Sequence, residues 1–152
     1  MSDNLLKVQP IRNGTVIDHI KSGRGKKILD VLELSNSGTT ISLLINVPSK
    51  KKEQKDMIKV EDRELSHNET EKLSLLSPDA RINIIRNYAV AEKNKMKIPN
   101  TVSNMVQCSN DNCISNNERG AKTNFKVLDQ KPLSIQCIYC GRKIKEESIN
   151  FI

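Results

Sequence analysis

An α+β chain of two domains is what the sequence predicts, and three observations carry that expectation. Apolar periodicity switches repeatedly between the alternation of strands and the stripe of helices, giving strand, strand, helix, strand, strand, helix, strand up to about residue 91. A polar, basic stretch closed by proline, Lys93-Asn-Lys-Met-Lys-Ile-Pro99-Asn, then interrupts the pattern. All four cysteines fall beyond it, in two close pairs. With one N-terminal strand set aside, the order before the interruption is the β-α-β-β-α-β arrangement of ferredoxin-like folds, an antiparallel sheet with both helices on one face. The expected division is residues 1–98 and residues 99–152.

Residues 7–12, Lys-Val-Gln-Pro-Ile-Arg, read as an extended edge strand, because Pro10 lacks an N–H. Asn13-Gly14 is a turn signal, and Thr15 to Ile20 is a second strand rich in β-branched residues with Asp18-His19 at its end. Spacing alone favours a solvated strand end for that pair. Ser22-Gly-Arg-Gly25 precedes a helix whose stripe is Ile28, Leu29, Val31, Leu32 and Leu34. The loop lacks the third glycine of a dinucleotide fingerprint and the Gly-Lys-Ser/Thr of a P-loop, so it reads as a plain turn.

Thr39 to Val47 is the most apolar strand of the chain, expected at the centre of the sheet and ended by Pro48. Ser49 to Lys55 is a basic hairpin tip of the kind usually left to solvent. Met57-Ile58-Lys59-Val60-Glu61 pairs back, with Lys59, Met57 and Glu61 on one face and Ile58 and Val60 on the other. Ser66-His-Asn-Glu69 fits a capping box, with Leu73 and Leu76 on the buried face and Pro78 as the stop. Arg81 to Asn87 is the next strand, and Tyr88 to Ala91 either prolongs it or begins another. In the second part, Phe125-Lys-Val-Leu and Leu133-Ser-Ile-Gln read as a hairpin.

The cysteines are spaced C-x4-C at Cys108 and Cys113 and C-x2-C at Cys137 and Cys140. Two knuckles of this kind can offer four thiolates to one tetrahedral ion, for which Zn(II) is the usual occupant. A rubredoxin-like iron site and a pair of disulfides are the alternatives. Four thiolates close the coordination shell, so the ion is structural rather than catalytic. The second part is also too short to bury a self-sufficient core, and a metal staple is the common remedy.

Composition narrows the function. The 152 residues carry a net charge of +7, no Trp, two Tyr and two Phe. Residues 1–99 hold 18 basic and 13 acidic side chains, so most of the positive excess lies in the first part and points to an anionic ligand. Stacking platforms for single-stranded nucleic acid are scarce, and no helix carries a dense basic face for a major groove. No catalytic constellation is visible. The polar, acidic N-terminus Met-Ser-Asp-Asn has no export pattern, and no apolar run approaches the ~18 residues of a membrane span, so the expectation is a cytoplasmic protein. Residue chemistry alone gives a binding module with a structural metal, the alternative being a zinc-ribbon protein that binds nucleic acid with salt-dependent affinity.

Four segments, in this order, resemble one family: Gly14-Thr-Val-Ile-Asp-His-Ile20, Lys55-Asp-Met-Ile-Lys59, Arg86-Asn-Tyr88 and Cys108-Ser-Asn-Asp-Asn-Cys113-Ile-Ser115. Together they are similar to the regulatory chains of aspartate carbamoyltransferase, an enzyme of pyrimidine biosynthesis. The resemblance implies a chain with no catalysis of its own. It implies an N-terminal domain that binds nucleoside triphosphates (CTP and ATP, with UTP often acting beside CTP). It implies a zinc domain that contacts the catalytic chain, and self-association as a regulatory dimer that joins catalytic trimers, with neither nucleic acid nor membrane as partner. Carried over residue by residue, the nucleotide site would comprise Val8, Ile11, Asp18, His19, Lys59, Asn83, Tyr88, Val90 and Lys93, and the zinc ligands would be Cys108, Cys113, Cys137 and Cys140.

Overall fold

A computed structural model describes residues 10–48 and 53–152. The chain divides into two compact units, Met1–Lys97 and Ile98–Ile152. In the first, five strands form one antiparallel sheet: β1 (Gly14–Lys21), β2 (Ile41–Pro48), β3 (Gln54–Glu61), β4 (Arg81–Arg86) and β5 (Ala89–Lys95), in the order β2-β3-β1-β4-β5. Helix α1 (Gly25–Val31) follows β1 and helix α2 (His67–Leu76) follows β3. Without β5 this is the expected ferredoxin-like order.

Alternation builds the core. Ile58 and Val60 of β3, Ile17 of β1 and Ile82 and Ile84 of β4 all point to one face and are at most 7% exposed. Ile28, Leu34, Leu73, Leu75 and Leu76 from the helical layer are buried with them. The capping box forms as expected: Glu69 N–H donates to Ser66 Oγ at 3.2 Å, and Ser66 N–H donates to Glu69 Oε1 at 2.9 Å.

Several expectations need correction. Pro10, Ile11 and Arg12 are not in a strand, and the rest of the expected strand, Lys7 to Gln9, lies outside the described residues. Gly14 is not a turn residue but the first residue of β1, with φ 143°. A Cβ there would sit 2.0 Å from the Val60 carbonyl oxygen, so close approach of β3 requires glycine. The apolar strand β2 is at the edge of the sheet, not its centre, and Ile45 is 52% exposed. Continuous apolarity signals cover on both faces, and it does not say whether that cover comes from within the same chain. Tyr88 to Ala91 does begin a new strand: Asn87 and Tyr88 both take positive φ, and β5 then runs to Lys95. The interruption expected from Lys93 therefore starts only after Lys95. Of the expected hairpin tip, residues 49–52 lie outside the described ones, while Gln54 and Lys55 already belong to β3.

The loop before α1 is a turn whose amides are taken internally. Asp56 is fully buried, and its Oδ2 accepts from Gly23 N–H at 3.0 Å and Gly25 N–H at 2.9 Å. Its Oδ1 accepts from Asn46 N–H at 3.1 Å, where β2 bulges and Asn46 takes φ 60°. A Cβ at Gly25 would lie 2.7 Å from Leu43 Cδ1 and 3.0 Å from Asp56 Oδ2, so a side chain there would have to displace its neighbours. One carboxylate thus fixes the start of α1 and the shape of the edge strand.

The second unit is a four-stranded antiparallel sheet in the order β10-β9-β8-β6, with a two-stranded pair β11-β7. Its strands are β6 (Thr101–Ser103), β7 (Val106–Gln107), β8 (Asn124–Gln130), β9 (Leu133–Cys137), β10 (Lys143–Lys145) and β11 (Asn150–Phe151). A single-turn helix α3 (Ile114–Asn117) follows the first cysteine pair. Phe125, Leu133, Ile135, Val102 and Val106 are its fully buried apolar residues.

Asp56→Ala leaves three amides without their acceptor and should lower the stability of the first unit by roughly 3 kcal/mol. Urea unfolding of the full chain measures it, and a loss below about 0.5 kcal/mol would show that the carboxylate does not hold this corner.

Candidate ligand face and metal centre

The face of the first sheet opposite the helices carries the polar side chains. Val16 of β1 is paired on one side with Lys59 of β3 and on the other with Asn83 of β4. Ser42 of β2 lies beyond Lys59, and Lys93 of β5 beyond Asn83. Directly opposite residues in antiparallel strands share a face with Cβ atoms about 5 Å apart, so Ser42, Lys59, Val16, Asn83 and Lys93 form one row across five strands. A second row, two residues along, contains Asp18, Arg81 and Lys95. On the other side of the first row, Ile85 pairs with Val90, beside Gly14.

Expected site residues scattered over 75 positions of sequence therefore converge. Asp18, Lys59, Asn83, Val90 and Lys93 share this face. Tyr88, 68% exposed at the β4–β5 turn, donates its N–H to the Arg12 carbonyl at 2.9 Å, which brings the segment of Ile11 beside it. The Ile11 side chain itself is buried. Val8 lies outside the described residues.

A bulge between Ile17 and Ile20 sets the end of β1, with His19 at φ 57°. It lets Asp18 and His19 sit together, as bulges beside binding sites often do. Asp18 Oδ1 accepts from His19 N–H at 2.7 Å and pairs with Lys55 Nζ at 2.8 Å. His19 Nδ1 lies 3.3 Å from Asp18 Oδ2 without the alignment of a hydrogen bond. Burial pushes the Asp18 carboxyl up, but Lys55 and the His19 amide outweigh it and hold the group below its ordinary value. Partial burial also lowers the Lys59 ammonium from its usual range. Lys55 is a member of this face that sequence reading assigned to a solvent-exposed tip. The signal was present, since Lys55 shares the alternation of Met57 and Lys59.

In the second unit the four thiols meet. Their Sγ atoms all lie within 4.8 Å of one another, with Cys108–Cys140 and Cys113–Cys137 each at 3.6 Å, and none is bonded to another. A tetrahedron with metal–sulfur bonds near 2.3 Å has edges of about 3.8 Å, so the spacing fits one closed four-thiolate site. Cys108 follows β7, Cys113 precedes α3, and Cys137 ends β9.

The first knuckle is clamped by asparagines that sequence reading passed over. Asn116 donates to the carbonyls of Cys108 and Asn110 at 2.9 and 2.8 Å, and Asn117 to those of Asp111 and Cys113 at 2.7 and 2.8 Å. In the second knuckle, Gly141 N–H donates to the Cys137 carbonyl at 2.9 Å. Burial drives the Cys108 thiol up to about 12 and raises Cys137. The Arg142 amide brings Cys140 down to about 6, and for Cys113 the Ser115 amide and hydroxyl outweigh burial and lower it. Each knuckle thus pairs one thiol held below its ordinary value with one pushed above it.

A ferredoxin-like sheet with a cation-rich open face, followed by a four-cysteine metal module, defines a class of two-domain ligand- and metal-binding proteins. Comparison with known families narrows it. Residues 6–97 match the allosteric domain of the aspartate carbamoyltransferase regulatory chain, and residues 100–150 match its metal binding domain. The regulatory chain of Pyrococcus abyssi is 45% identical over 146 residues, covering 95% of both chains. That of Methanothrix thermoacetophila is 42% identical over 153 residues, covering 100% of this chain and 99% of its own, and that of Thermoplasma volcanium 39% over 150 residues, covering 98% and 99%. The chain belongs to the aspartate carbamoyltransferase regulatory chain family, non-catalytic subunits of an enzyme of pyrimidine biosynthesis, and its clustered thiols are the metal site of the second domain. No helix among the described residues is long and apolar enough to cross a membrane.

Proposed function

We propose that the open face of the first sheet binds nucleoside triphosphates, CTP and ATP, and that the second domain, folded around Zn(II), binds the catalytic chain of aspartate carbamoyltransferase in the cytoplasm. The observation that carries the nucleotide reading is the row of Lys59, Val16, Asn83 and Lys93, drawn from four strands onto one exposed face. In this reading the base lies against Val90 and the main chain near Ile11 and Tyr88. Asp18 accepts from a ribose hydroxyl, and Lys59 reaches sugar and base. Lys93, Asn83 and His19 meet phosphates, where cationic donors give the stronger hydrogen bonds. The chain is then an effector-sensing subunit: nucleotide bound on the first domain alters the catalytic chain held by the second.

The metal reading rests on the closed four-thiolate donor set, which suits Zn(II) as a structural ion. The four ligands are Cys108, Cys113, Cys137 and Cys140. The ion supplies cross-linking and no reaction step, and Asn116 and Asn117 shape the knuckle that presents it. Self-association is supported by β2, whose outer edge has no strand partner among the described residues and whose Ile41, Leu43, Leu44 and Val47 are only half-buried while Ile45 is exposed. Such an edge can continue into the sheet of a second copy. A regulatory dimer formed this way would carry one metal domain per chain, and so would link two catalytic trimers.

Lys59→Ala and Lys93→Ala should each weaken CTP and ATP binding by roughly 1.5–3 kcal/mol, the worth of a hydrogen bond to a charged group. Titration calorimetry giving wild-type affinity for both variants would remove this face from the site.

Sedimentation of the chain alone should give a dimer, and addition of catalytic trimer a larger complex containing both. Cys137→Ser should lose metal, measured by atomic absorption, and leave the dimer intact but unable to join the trimer. A monomeric wild-type chain would contradict pairing through β2, and a metal-free variant that still joins the trimer would contradict the link between metal and assembly.

A further inference from the structure

The four thiols are not equivalent in the fold. Cys108, Cys113 and Cys137 are at most 3% exposed, whereas Cys140 is open to solvent. The Sγ of Cys140 touches that of Cys108 in the first knuckle at 3.6 Å, and the buried pair Cys113–Cys137 also crosses between knuckles at 3.6 Å. Neither contact joins the two cysteines of one knuckle. Each knuckle is also held by hydrogen bonds of its own. Asn116 and Asn117 fix the first through the carbonyls of Cys108, Asn110, Asp111 and Cys113. In the second, Cys137 N–H donates to the Arg142 carbonyl and Gly141 N–H to the Cys137 carbonyl, both at 2.9 Å, and Gln136 Nε2 donates to the Gly141 carbonyl at 3.0 Å. Cys108 and Cys140 are therefore carried by turns that do not depend on an ion for their shape.

An exposed sulfur in contact with a second sulfur is the arrangement from which a disulfide forms. A peroxide meets Cys140 first, because the other three thiols are covered. The Cys140 sulfur attacks one peroxide oxygen, the O–O bond breaks, and a sulfenic acid and a hydroxide result. The Cys108 sulfur then attacks the sulfenic sulfur, the S–O bond breaks, and a second hydroxide leaves. Two sulfurs have given up two electrons, and the peroxide has become two hydroxides that are protonated to water. The site has then lost two of its four donors, so its closed shell is gone. The new bond links residues 32 apart in sequence and ties knuckle to knuckle, as the ion did. A disulfide between Cys137 and Cys140 would close only its own turn and leave the knuckles unjoined.

We propose that Cys140 and Cys108 form a reversible peroxide switch in the second domain: oxidation exchanges the metal clasp for a cross-knuckle disulfide, releases the metal and leaves the domain folded. The inference rests on the zinc reading of the four thiols. Where assembly depends on the metal, the switch puts the hold on the catalytic chain under the control of an oxidant.

The test uses the full wild-type chain, purified with its metal and treated with hydrogen peroxide. Zinc release is followed with a chromogenic chelator, and disulfides are mapped by mass spectrometry of the alkylated, unreduced digest. At about one equivalent of peroxide per chain the main product should be Cys108–Cys140, with Cys113 and Cys137 still free. Zinc should be released in step with that bond, and far-UV circular dichroism should stay unchanged. The oxidised chain should fail to join catalytic trimer on a sizing column. Dithiothreitol and zinc should restore the thiols, the metal and the joining. Several results would overturn the switch: Cys137–Cys140 or a bond between chains as the main product, sulfinic acid at Cys140 without a disulfide, or lost secondary structure. So would thiols that survive an excess of peroxide sufficient to oxidise the urea-denatured chain, or an oxidised chain that joins the trimer as the reduced one does. A purified chain that holds no zinc overturns the metal reading itself, whereas a zinc-loaded chain that forms the wrong disulfide overturns only the switch.

Discussion

The pairing of β1 between β3 and β4 is the constraint from which the rest of the first domain follows. Val16 has one neighbour on each side, Lys59 and Asn83, and the register is fixed because a one-residue slip would turn Ile17, Ile58 and Ile82 out of the core. The polar face is therefore specified by the apolar one. Burial of isoleucines under two helices decides which lysines and asparagines stand side by side on the other surface. Departures from regular pairing are local: the bulge of Asp18-His19, the bulge of β2, and the shift between Ile84 and Ile85 where β4 pairs with β5. Asp56, adjacent to Lys55 in sequence, ties the second bulge to the start of α1 while Lys55 holds Asp18 on the opposite face. Two successive residues of β3 thus link the open face, the helix layer and the edge strand.

The second domain solves a different problem. Its fully buried apolar residues are few, and they lie mainly in β6, β7, β8 and β9. Four thiols drawn from separate knuckles close the remainder, and a bound ion contributes folding free energy directly in small domains of this kind. The asparagine clamps on the carbonyls of Cys108, Asn110, Asp111 and Cys113 hold the first knuckle by side-chain hydrogen bonds where the backbone forms neither strand nor long helix.

Much of this was legible in the residues. Alternation in Met57 to Glu61 assigned Lys59 to the open face, the capping box located α2, and cysteine spacing located the metal site. What escaped has physical reasons. The position of β2 could not be read because an apolar run does not by itself distinguish an edge strand from a central one. The length of β5 was missed because all seven of its residues are exposed, so hydrogen bonding to β4 sustains it without an apolar signal. Positive φ at His19 and Asn46 leaves no compositional mark strong enough to announce a bulge. The like-charge pair Arg81–Lys95 became visible only once the register of β4 and β5 was known. The convergence of Asp18, Lys59, Asn83 and Lys93 likewise depends on long-range pairing, and family resemblance, rather than spacing, singled those residues out in the sequence.

The central claim is that nucleotide sits on the open sheet face of the first domain. Titration of uniformly 15N-labelled full chain with CTP, followed by heteronuclear correlation spectra, tests it most directly. The account predicts saturable shifts concentrated on amides of β1, β3, β4 and β5 around Val16, Asp18, Lys59, Asn83 and Lys93, with the knuckle residues Cys108 to Cys113 unmoved. Saturable shifts confined to the helical layer or to the second domain, with that face silent, would contradict it.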